Sequence, residues 1–234
     1  MSELTAFALA ALGGVIPALA WLWFWRREDT AHPEPRHMIA LAFLAGMLAV
    51  LIVIPMQKAV AEYFILGTTA LFIVWSGMEE VVKYLVARVT VLRTRAFDEP
   101  VDAVIYMVAV ALGFAAVENT LFLIAPLLDS NVTDTILTGN LRFVGATLLH
   151  VLSSAVVGIS LAISFYKPKR IRRLYVTFGV ILAIILHGSF NFLILNMKDE
   201  YLLRTFGLVW VGIIVLVAAL EWIKRIRKRK WIRR

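Results

Sequence analysis

Long apolar runs are the feature that most limits what this chain can fold into. Stretches of apolar residues alternate with short segments that contain charges or proline. A helix needs about 20 predominantly apolar residues to cross a bilayer, and 234 residues leave room for seven such helices and short loops. The sequence therefore predicts an all-α, polytopic transmembrane helical bundle. The predicted spans are approximately residues 4–25, 38–54, 64–89, 101–125, 141–166, 174–196 and 202–223.

Composition supports a membrane protein and excludes several other classes. The chain is 61% hydrophobic and only 17% charged, whereas soluble domains are about 25% charged. It contains no cysteine, which excludes disulfides, thiolate metal sites and a cysteine nucleophile. We predict a single domain, residues 1–234, with a motif-bearing core at about 64–197 and a basic juxtamembrane tail at 224–234.

Positive charge is concentrated in every second loop. The formal net charge is +8, and basic residues cluster at 26–36, 167–173 and 224–234. Under the positive-inside rule these segments face the cytoplasm, so the N-terminus is predicted outside and the C-terminus inside. We expect the basic loops and tail to contact anionic lipid. No nucleic-acid partner is expected, because the basic tail directly follows a spanning helix.

Few polar side chains of functional interest lie inside the predicted spans. Charge in lipid is costly, so each such side chain is a candidate for function. From the third span to the sixth they are Glu79, Glu80, Lys83, Glu118, Asn119, His150, His187 and Asn191. Counted along the helices, Glu79, Glu118, His150 and His187 lie at roughly similar depths in the membrane. One shared mid-membrane cavity is therefore expected.

The third span places two adjacent glutamates one helical turn before a lysine. This spacing lets Lys83 pair with Glu79 or Glu80 along the helix, which leaves one carboxylate unmatched. A surplus buried carboxylate suits a general base that activates water. The residues do not distinguish which glutamate is the base. A purely structural polar clamp between helices is the competing interpretation.

The later spans supply groups that suit stabilisation of a reaction intermediate. His187 and Asn191 are four residues apart and share a helix face, so imidazole and carboxamide could bind an oxyanion. Glu118 is interpreted as a second carboxylate or as the group that orients a histidine. His150 could bind the oxyanion or a water molecule. Structural hydrogen bonds between helices are the alternative for each.

In order and spacing, these motifs resemble the PrsW family of intramembrane proteases, which is related to the type II CAAX prenyl endopeptidases. The resemblance covers residues 76–192, about half of the chain. Its matching segments are Glu79-Glu80-x-x-Lys83, Phe97-Asp98-Glu99-Pro100-Val101-Asp102, Gly113-Phe114-x-x-x-Glu118-Asn119, Arg142 with His150 downstream, and His187-x-x-x-Asn191. One departure is Asn191, where the family motif often has aspartate, and asparagine there favours a hydrogen-bonding role.

The resemblance implies an endopeptidase in the bacterial cytoplasmic (inner) membrane. Its implied substrate is a single-span, membrane-anchored regulatory protein such as an anti-sigma factor. The implied roles are base for Glu79 or Glu80, oxyanion partner for His187 and Asn191, and support or water positioning for Glu118 and His150. No cofactor is expected for this glutamate-type chemistry.

Three other interpretations stay open. A zinc-dependent version of the same protease would use His150, His187 and Glu80 as ligands, although the His-Glu-x-x-His signature is absent. The buried groups could instead form a proton or cation pathway in a transporter, but no internal repeat supports this. A non-catalytic scaffold or immunity protein is disfavoured, because it would have no reason to keep charges in lipid. Serine and aspartyl protease motifs are absent from the spans.

Overall fold

The computed structural model describes residues 2–28, 32–196 and 199–226 of the chain. Its α-helices are α1 (Glu3–Arg26), α2 (Arg36–Tyr63), α3 (Thr68–Thr90), α4 (Pro100–Leu128), α5 (Val132–Leu141), α6 (Thr147–Ile163), α7 (Lys169–Asn196) and α8 (Asp199–Ile223). A π-helical turn, Arg142–Ala146, joins α5 to α6 without a break. We call this continuous element the α5–α6 helix.

The all-α fold predicted from the apolar runs is confirmed. Within the described residues, each predicted span corresponds to one continuous helix when α5, the π turn and α6 are taken together. Six of these helices are long and apolar enough to cross a membrane: α1, α2, α4, α5–α6, α7 and α8. α3 is not among the six, since Glu79, Glu80 and Lys83 interrupt its apolar composition. The predicted orientation, with the N-terminus outside, stays a prediction.

Two predicted helix boundaries were wrong by nine residues. α2 continues to Tyr63 rather than ending at residue 54, because Pro55 is accommodated inside the helix, as membrane helices often permit. The fifth helix begins at Val132 rather than at residue 141, with the Asn131 side chain capping its first turn. Residue 197 of the predicted core and residues 227–234 of the predicted tail lie outside the described residues.

α4 is the central helix of the bundle. All of its residues from Pro100 to Ala116 are buried, and it packs against α1, α2 and α6. Gly46 and Gly113 bring the backbones of α2 and α4 together, since a Cβ at Gly113 would lie 1.9 Å from the Phe43 carbonyl oxygen. Such close approach is typical of small residues between membrane helices. It sets α2 and α4 side by side at the interior of the bundle.

α3 lies between α2 and α7. Its polar side chains Glu79, Glu80 and Lys83 are buried, whereas Val81 and Leu85 on its outer surface are exposed. A charged inner face with an apolar outer face is the reverse of a soluble helix. α3 therefore places polar side chains in the interior of the bundle and apolar side chains toward the lipid.

A cluster of carboxylates fixes the beginning of α4. The Asp102 carboxylate accepts hydrogen bonds from the backbone N–H groups of Asp98 at 2.9 Å and Glu99 at 2.6 Å. The Tyr106 hydroxyl donates to Glu34, and Glu34 is in turn hydrogen-bonded with Asp102. We call these five residues the α4 cap cluster. It gives the Phe97-to-Asp102 segment a structural role, as a cap of α4 and an anchor for the first loop.

Candidate functional site

Polar side chains from five helices meet at one interior cavity of about 480 Å³. The polar lining residues are Gln57 from α2, Glu79 from α3, Glu118 from α4, Arg142 and His150 from the α5–α6 helix, and His187 and Asn191 from α7. Aromatic residues of the walls include Phe72, Trp75, Phe122, Phe190 and Phe206. The structure thus brings the predicted site residues together, although Glu80, Lys83 and Asn119 lie beside the cavity and do not line it.

The Glu80 carboxylate is fully engaged in hydrogen bonds. Its Oε1 accepts from Lys83 Nζ at 2.8 Å and lies 2.9 Å from His187 Nδ1. Its Oε2 accepts from the Ser154 hydroxyl at 3.0 Å. Because a buried carboxylate is stable only when its oxygens are satisfied, Glu80 is suited to holding its neighbours in place.

The adjacent Glu79 is satisfied on one side only. Its Oε1 accepts from Gln57 Nε2 at 3.0 Å. Its Oε2 is buried and has no hydrogen-bond partner among the described residues. That oxygen lies 3.7 Å from His187 Nε2 and 3.9 Å from His150 Nδ1. Glu79 therefore presents a free acceptor to both histidines.

Each histidine is oriented by a second carboxylate. His187 Nδ1 contacts Glu80, and His150 Nε2 lies 2.9 Å from Glu118 Oε2. A carboxylate accepts, so the protons of these contacts lie on the ring nitrogens. Each ring then directs its opposite nitrogen toward Glu79. Such carboxylate–histidine contacts fix both ring orientation and tautomer.

Lys83 brings a positive charge into this group. Its fully buried ammonium donates to Glu80 and lies 2.8 Å from His150 Nδ1, 3.6 Å from Glu79 Oε2 and 4.3 Å from the centre of the Phe114 ring. An ammonium can only donate, so His150 Nδ1 accepts this hydrogen bond and carries no proton. The positive charge of Lys83 thus compensates the negative charge of one of the two adjacent glutamates.

A further set of hydrogen bonds holds Glu118 in place. Arg142 Nη2 donates to Glu118 Oε2 at 2.6 Å, and Arg142 Nε donates to Asn119 Oδ1 at 2.6 Å. The Asn119 amide donates to the Thr147 hydroxyl at 2.8 Å. The guanidinium also lies over the Phe122 ring, 3.8 Å from its centre. Arg142 therefore fixes the carboxylate that orients His150.

The π turn explains how Arg142 and His150 reach the same glutamate. At about 100° per residue, side chains eight positions apart on a regular α-helix point about 80° from each other. A π turn absorbs one extra residue, which reduces the offset to about 20°. The carbonyl oxygen of Arg142 accepts from both the N–H and the hydroxyl of Thr147. Both Arg142 and His150 consequently contact Glu118 Oε2.

Sequence reasoning missed several neutral members of the site. Gln57 hydrogen-bonds Glu79, Ser154 hydrogen-bonds Glu80, and Ser76 accepts from the Asn191 amide at 3.3 Å. Their only signal in the sequence is a polar side chain within an apolar stretch. That signal is weak, since serine and glutamine also occur in membrane helices without a functional role.

Glu79, His150 and His187 could hold a metal ion. One ligand atom from each lies within 4.8 Å of the others, and glutamate with histidine is a ligand set that zinc accepts. The predicted zinc set of His150, His187 and Glu80 stays a prediction, although the structure groups Glu79 rather than Glu80 with the two histidines and Glu80 is already saturated with hydrogen bonds. The donor types, the free Glu79 oxygen and the carboxylates behind both histidines fit a divalent metal.

A bundle of membrane-spanning helices around buried glutamates and histidines defines the class of intramembrane proteases. A family profile described as "PrsW family intramembrane metalloprotease" matches residues 34–220. The chain belongs to the PrsW family of intramembrane proteases, and it is a multi-pass integral membrane protein. This family assignment supports the protease interpretation over the transporter and scaffold alternatives. The description names a metalloprotease, whereas the sequence analysis expects no metal.

Several curated relatives are named Protease PrsW. The one from Geobacillus kaustophilus is 32% identical over 184 residues, 78% of this chain and 78% of the relative. The one from Bacillus subtilis is 27% identical over 205 residues, covering 84% and 88% of the two chains. The one from Clostridioides difficile is 29% identical over 199 residues, covering 82% and 80%. No solved structure matches the chain.

Proposed function

We propose that this chain cuts a peptide bond in or next to the membrane-spanning part of a single-span regulatory protein of the anti-sigma-factor kind, with Glu79 at the reaction centre. One observation carries the proposal: Glu79 Oε2 is buried, faces both histidines and has no hydrogen-bond partner among the described residues. Leaving a buried carboxylate oxygen without a hydrogen bond is costly. Such an oxygen is suited to an incoming water molecule or cation.

The cavity walls support a substrate taken from the membrane. Aromatic side chains surround the polar groups, so apolar residues of a substrate would keep apolar neighbours when they leave the lipid. The peptide group to be cut would meet the polar groups of Glu79, His187 and Asn191. A dry, apolar surrounding also strengthens the electrostatic interactions of those groups.

Each polar residue has a defined part in this proposal. Glu79 takes part in activating the attacking water, because its Oε2 is the free acceptor. Asn191 donates to the developing oxyanion, with one amide hydrogen left after the contact to Ser76. Glu80 and Glu118 orient the histidines, and Arg142 holds Glu118. These last three residues act through the groups that they position.

A divalent metal fits this arrangement. Glu79, His150 and His187 would hold it, and when bound, a zinc ion supplies Lewis-acid polarisation of the scissile carbonyl and of a water molecule. The nitrogen of His150 that faces Glu79 is Nδ1. Its single lone pair cannot bind a metal and accept a hydrogen bond from Lys83 at the same time. Metal binding therefore requires Lys83 to release His150 and to keep its contact with Glu80.

The metal-free version of the same protease is favoured by one contact. Lys83 lies 2.8 Å from His150 Nδ1, the nitrogen that a metal would use. In this version Glu79 accepts the proton of the attacking water and passes it to the nitrogen of the leaving amine as the peptide bond breaks. His187, placed between Glu80 and Glu79, is the second oxyanion partner through Nε2.

The deciding experiment is cleavage of tagged single-span substrates by purified protein in liposomes. Wild type is compared with Glu79→Gln and with Glu62→Gln, a matched change at an exposed glutamate. We expect cleavage by wild type and Glu62→Gln but not by Glu79→Gln. Equal cleavage by all three would overturn Glu79 as the reaction centre.

Metal content decides between the two versions. Elemental analysis of the same samples should find about one zinc per chain in wild type and none in His187→Ala if the metal version holds. Zinc-free wild type that keeps full activity in chelator would establish the metal-free version. Activity lost in chelator and restored by zinc would establish the metal version.

A further inference from the structure

A second polar pocket lies where α3 ends and α7 begins, away from the cavity around Glu79. It has a volume of about 320 Å³. Its polar lining residues are Tyr84, Arg88, Arg93, Lys169, Arg172 and Arg173. Apolar side chains, including Phe97 and Val176, form the rest of its wall. We call it the basic pocket.

The positive charge of the basic pocket is not compensated by the protein. Five of its lining residues are cationic, and no carboxylate lines it. None of these five forms an ion pair within the described part of the chain. The N-terminus of α7 adds partial positive charge at the same place. Like charges held this close repel one another, so an anion in the pocket would stabilise it.

The basic pocket lies at the ends of two helices, where the surface of the bilayer is expected. Arg88 lies in the last turn of α3 and Lys169 is the first residue of α7. Next to the pocket the surfaces of these helices are apolar and exposed, at Leu85 on α3 and Ile181 on α7. A phospholipid could therefore place its phosphate among the cations and lay its acyl chains along α3 and α7.

We propose that the basic pocket binds the phosphate group of an anionic phospholipid. Guanidinium groups pair with phosphate through two parallel hydrogen bonds, and four of the five cations are arginines. The site is defined by particular side chains and differs from a general attraction of basic loops to a charged surface. Neighbouring cations such as Arg95 and Arg170 are as exposed as most of the pocket cations but lie outside the pocket.

Binding there would join the two helices that supply the reaction centre. Arg88 and Tyr84 belong to α3, which carries Glu79, and Arg172 belongs to α7, which carries His187. A phosphate bound to both would hold these helices together at one end. The binding proposal stands without the proposed function, whereas an effect on proteolysis rests on it.

The test compares lipid binding by two variants that remove equal charge. Arg93→Gln/Arg172→Gln changes the basic pocket, and Arg95→Gln/Arg170→Gln changes cations beside it. Each protein is placed in phosphatidylcholine nanodiscs, titrated with phosphatidylglycerol and followed by native mass spectrometry and thermal unfolding. We expect wild type and the control variant to bind and be stabilised alike, and the pocket variant to bind about thirtyfold more weakly.

Equal loss of phosphatidylglycerol binding in both variants would overturn the proposal in favour of diffuse surface attraction. So would a wild type that binds neither phosphatidylglycerol nor inorganic phosphate. A parallel titration with inorganic phosphate separates the sources: stabilisation by phosphate alone, lost only in the pocket variant, assigns a free phosphate ligand and overturns the lipid. A pocket variant that loses lipid but still cleaves substrate would reject the effect on proteolysis while leaving the binding intact.

Discussion

The α4 cap cluster and the cavity around Glu79 both contain buried carboxylates, but the hydrogen bonding of these carboxylates differs. In the cap cluster, the Asp102 carboxylate accepts two backbone hydrogen bonds, and Glu34 accepts one from Tyr106. In the cavity, Glu79 keeps one buried oxygen without a hydrogen-bond partner among the described residues. Buried charge alone therefore does not identify a reaction centre. The proposed role of Glu79 rests on an additional feature, the unsatisfied oxygen that faces the cavity.

The same contrast occurs between adjacent residues of α3. Glu79 and Glu80 are both buried and both close to Lys83. Glu80 resembles the cap cluster in having partners on both oxygens, whereas Glu79 does not. The difference arises from the neighbouring helices, which offer Ser154 to one glutamate and Gln57 to the other. It predicts that the two residues respond differently to substitution.

The largest expected effect is on catalysis at Glu79. Glu79→Gln should lower kcat/KM about a hundredfold to ten-thousandfold, the range for loss of a general base. Its unfolding temperature should stay close to that of wild type, since Oε2 has no hydrogen bond to lose. Cleavage kinetics in liposomes and thermal unfolding in detergent test both parts. Full activity in this variant would show that catalysis does not need the unsatisfied oxygen of Glu79. The buried carboxylates of the cavity would then not differ in function from those of the cap cluster.

The next effect is on stability at Lys83. Lys83→Met should destabilise the fold by about 3–5 kcal/mol, because it leaves Glu80 buried without its cation. Adding Glu80→Gln should recover much of that loss, since it removes the unpaired charge. A double-mutant cycle measured by reversible unfolding gives the coupling between the two residues. Additive effects would show that the pair contributes no coupling.

A smaller effect is expected from Arg142, which positions Glu118. Arg142→Lys should lower kcat/KM about tenfold to a hundredfold, the range seen when a group behind a histidine is changed. Lysine keeps the charge but cannot contact Glu118 and Asn119 through a planar fork. The substrate KM should change little, because Arg142 acts through His150. A variant altered only in KM would instead assign Arg142 to substrate binding.

The smallest effect should come from the α4 cap cluster. Asp102→Ala removes the cap of α4 and should cost about 1 kcal/mol of stability. Proteolysis per folded molecule, measured well below the unfolding transition, should equal that of wild type. A loss of proteolysis larger than the loss of folded protein would show that the cap cluster takes part in the chemistry.

The fold and the membership of the site were largely predictable from the sequence. Apolar runs and charges within lipid are strong local signals, and Glu79, Glu118, His150 and His187 were found by them. The state of each oxygen was not predictable, because it depends on contacts between residues far apart in the chain. Ser154 and Glu80 are 74 positions apart, and Gln57 and Glu79 are 22 apart.

The prediction of helix boundaries failed for a related reason. Pro55 reads as a helix break when α2 is considered alone, but α2 continues through it to Tyr63. The π turn has no local marker either, since its residues would also form a regular α-helix. Tertiary packing decides such cases, and the apolar pattern along one segment does not carry that information.

The π turn makes the protease sensitive to the number of residues as well as to their identity. Adding one residue between Arg142 and Thr147 would leave the helix and every recognisable motif intact. The arginine would then point about 100° away from its present direction and lose Glu118. An inactive relative could arise in this way from a single-codon insertion. Counting the eight positions from Arg142 to His150 would separate such relatives from those with an assembled site.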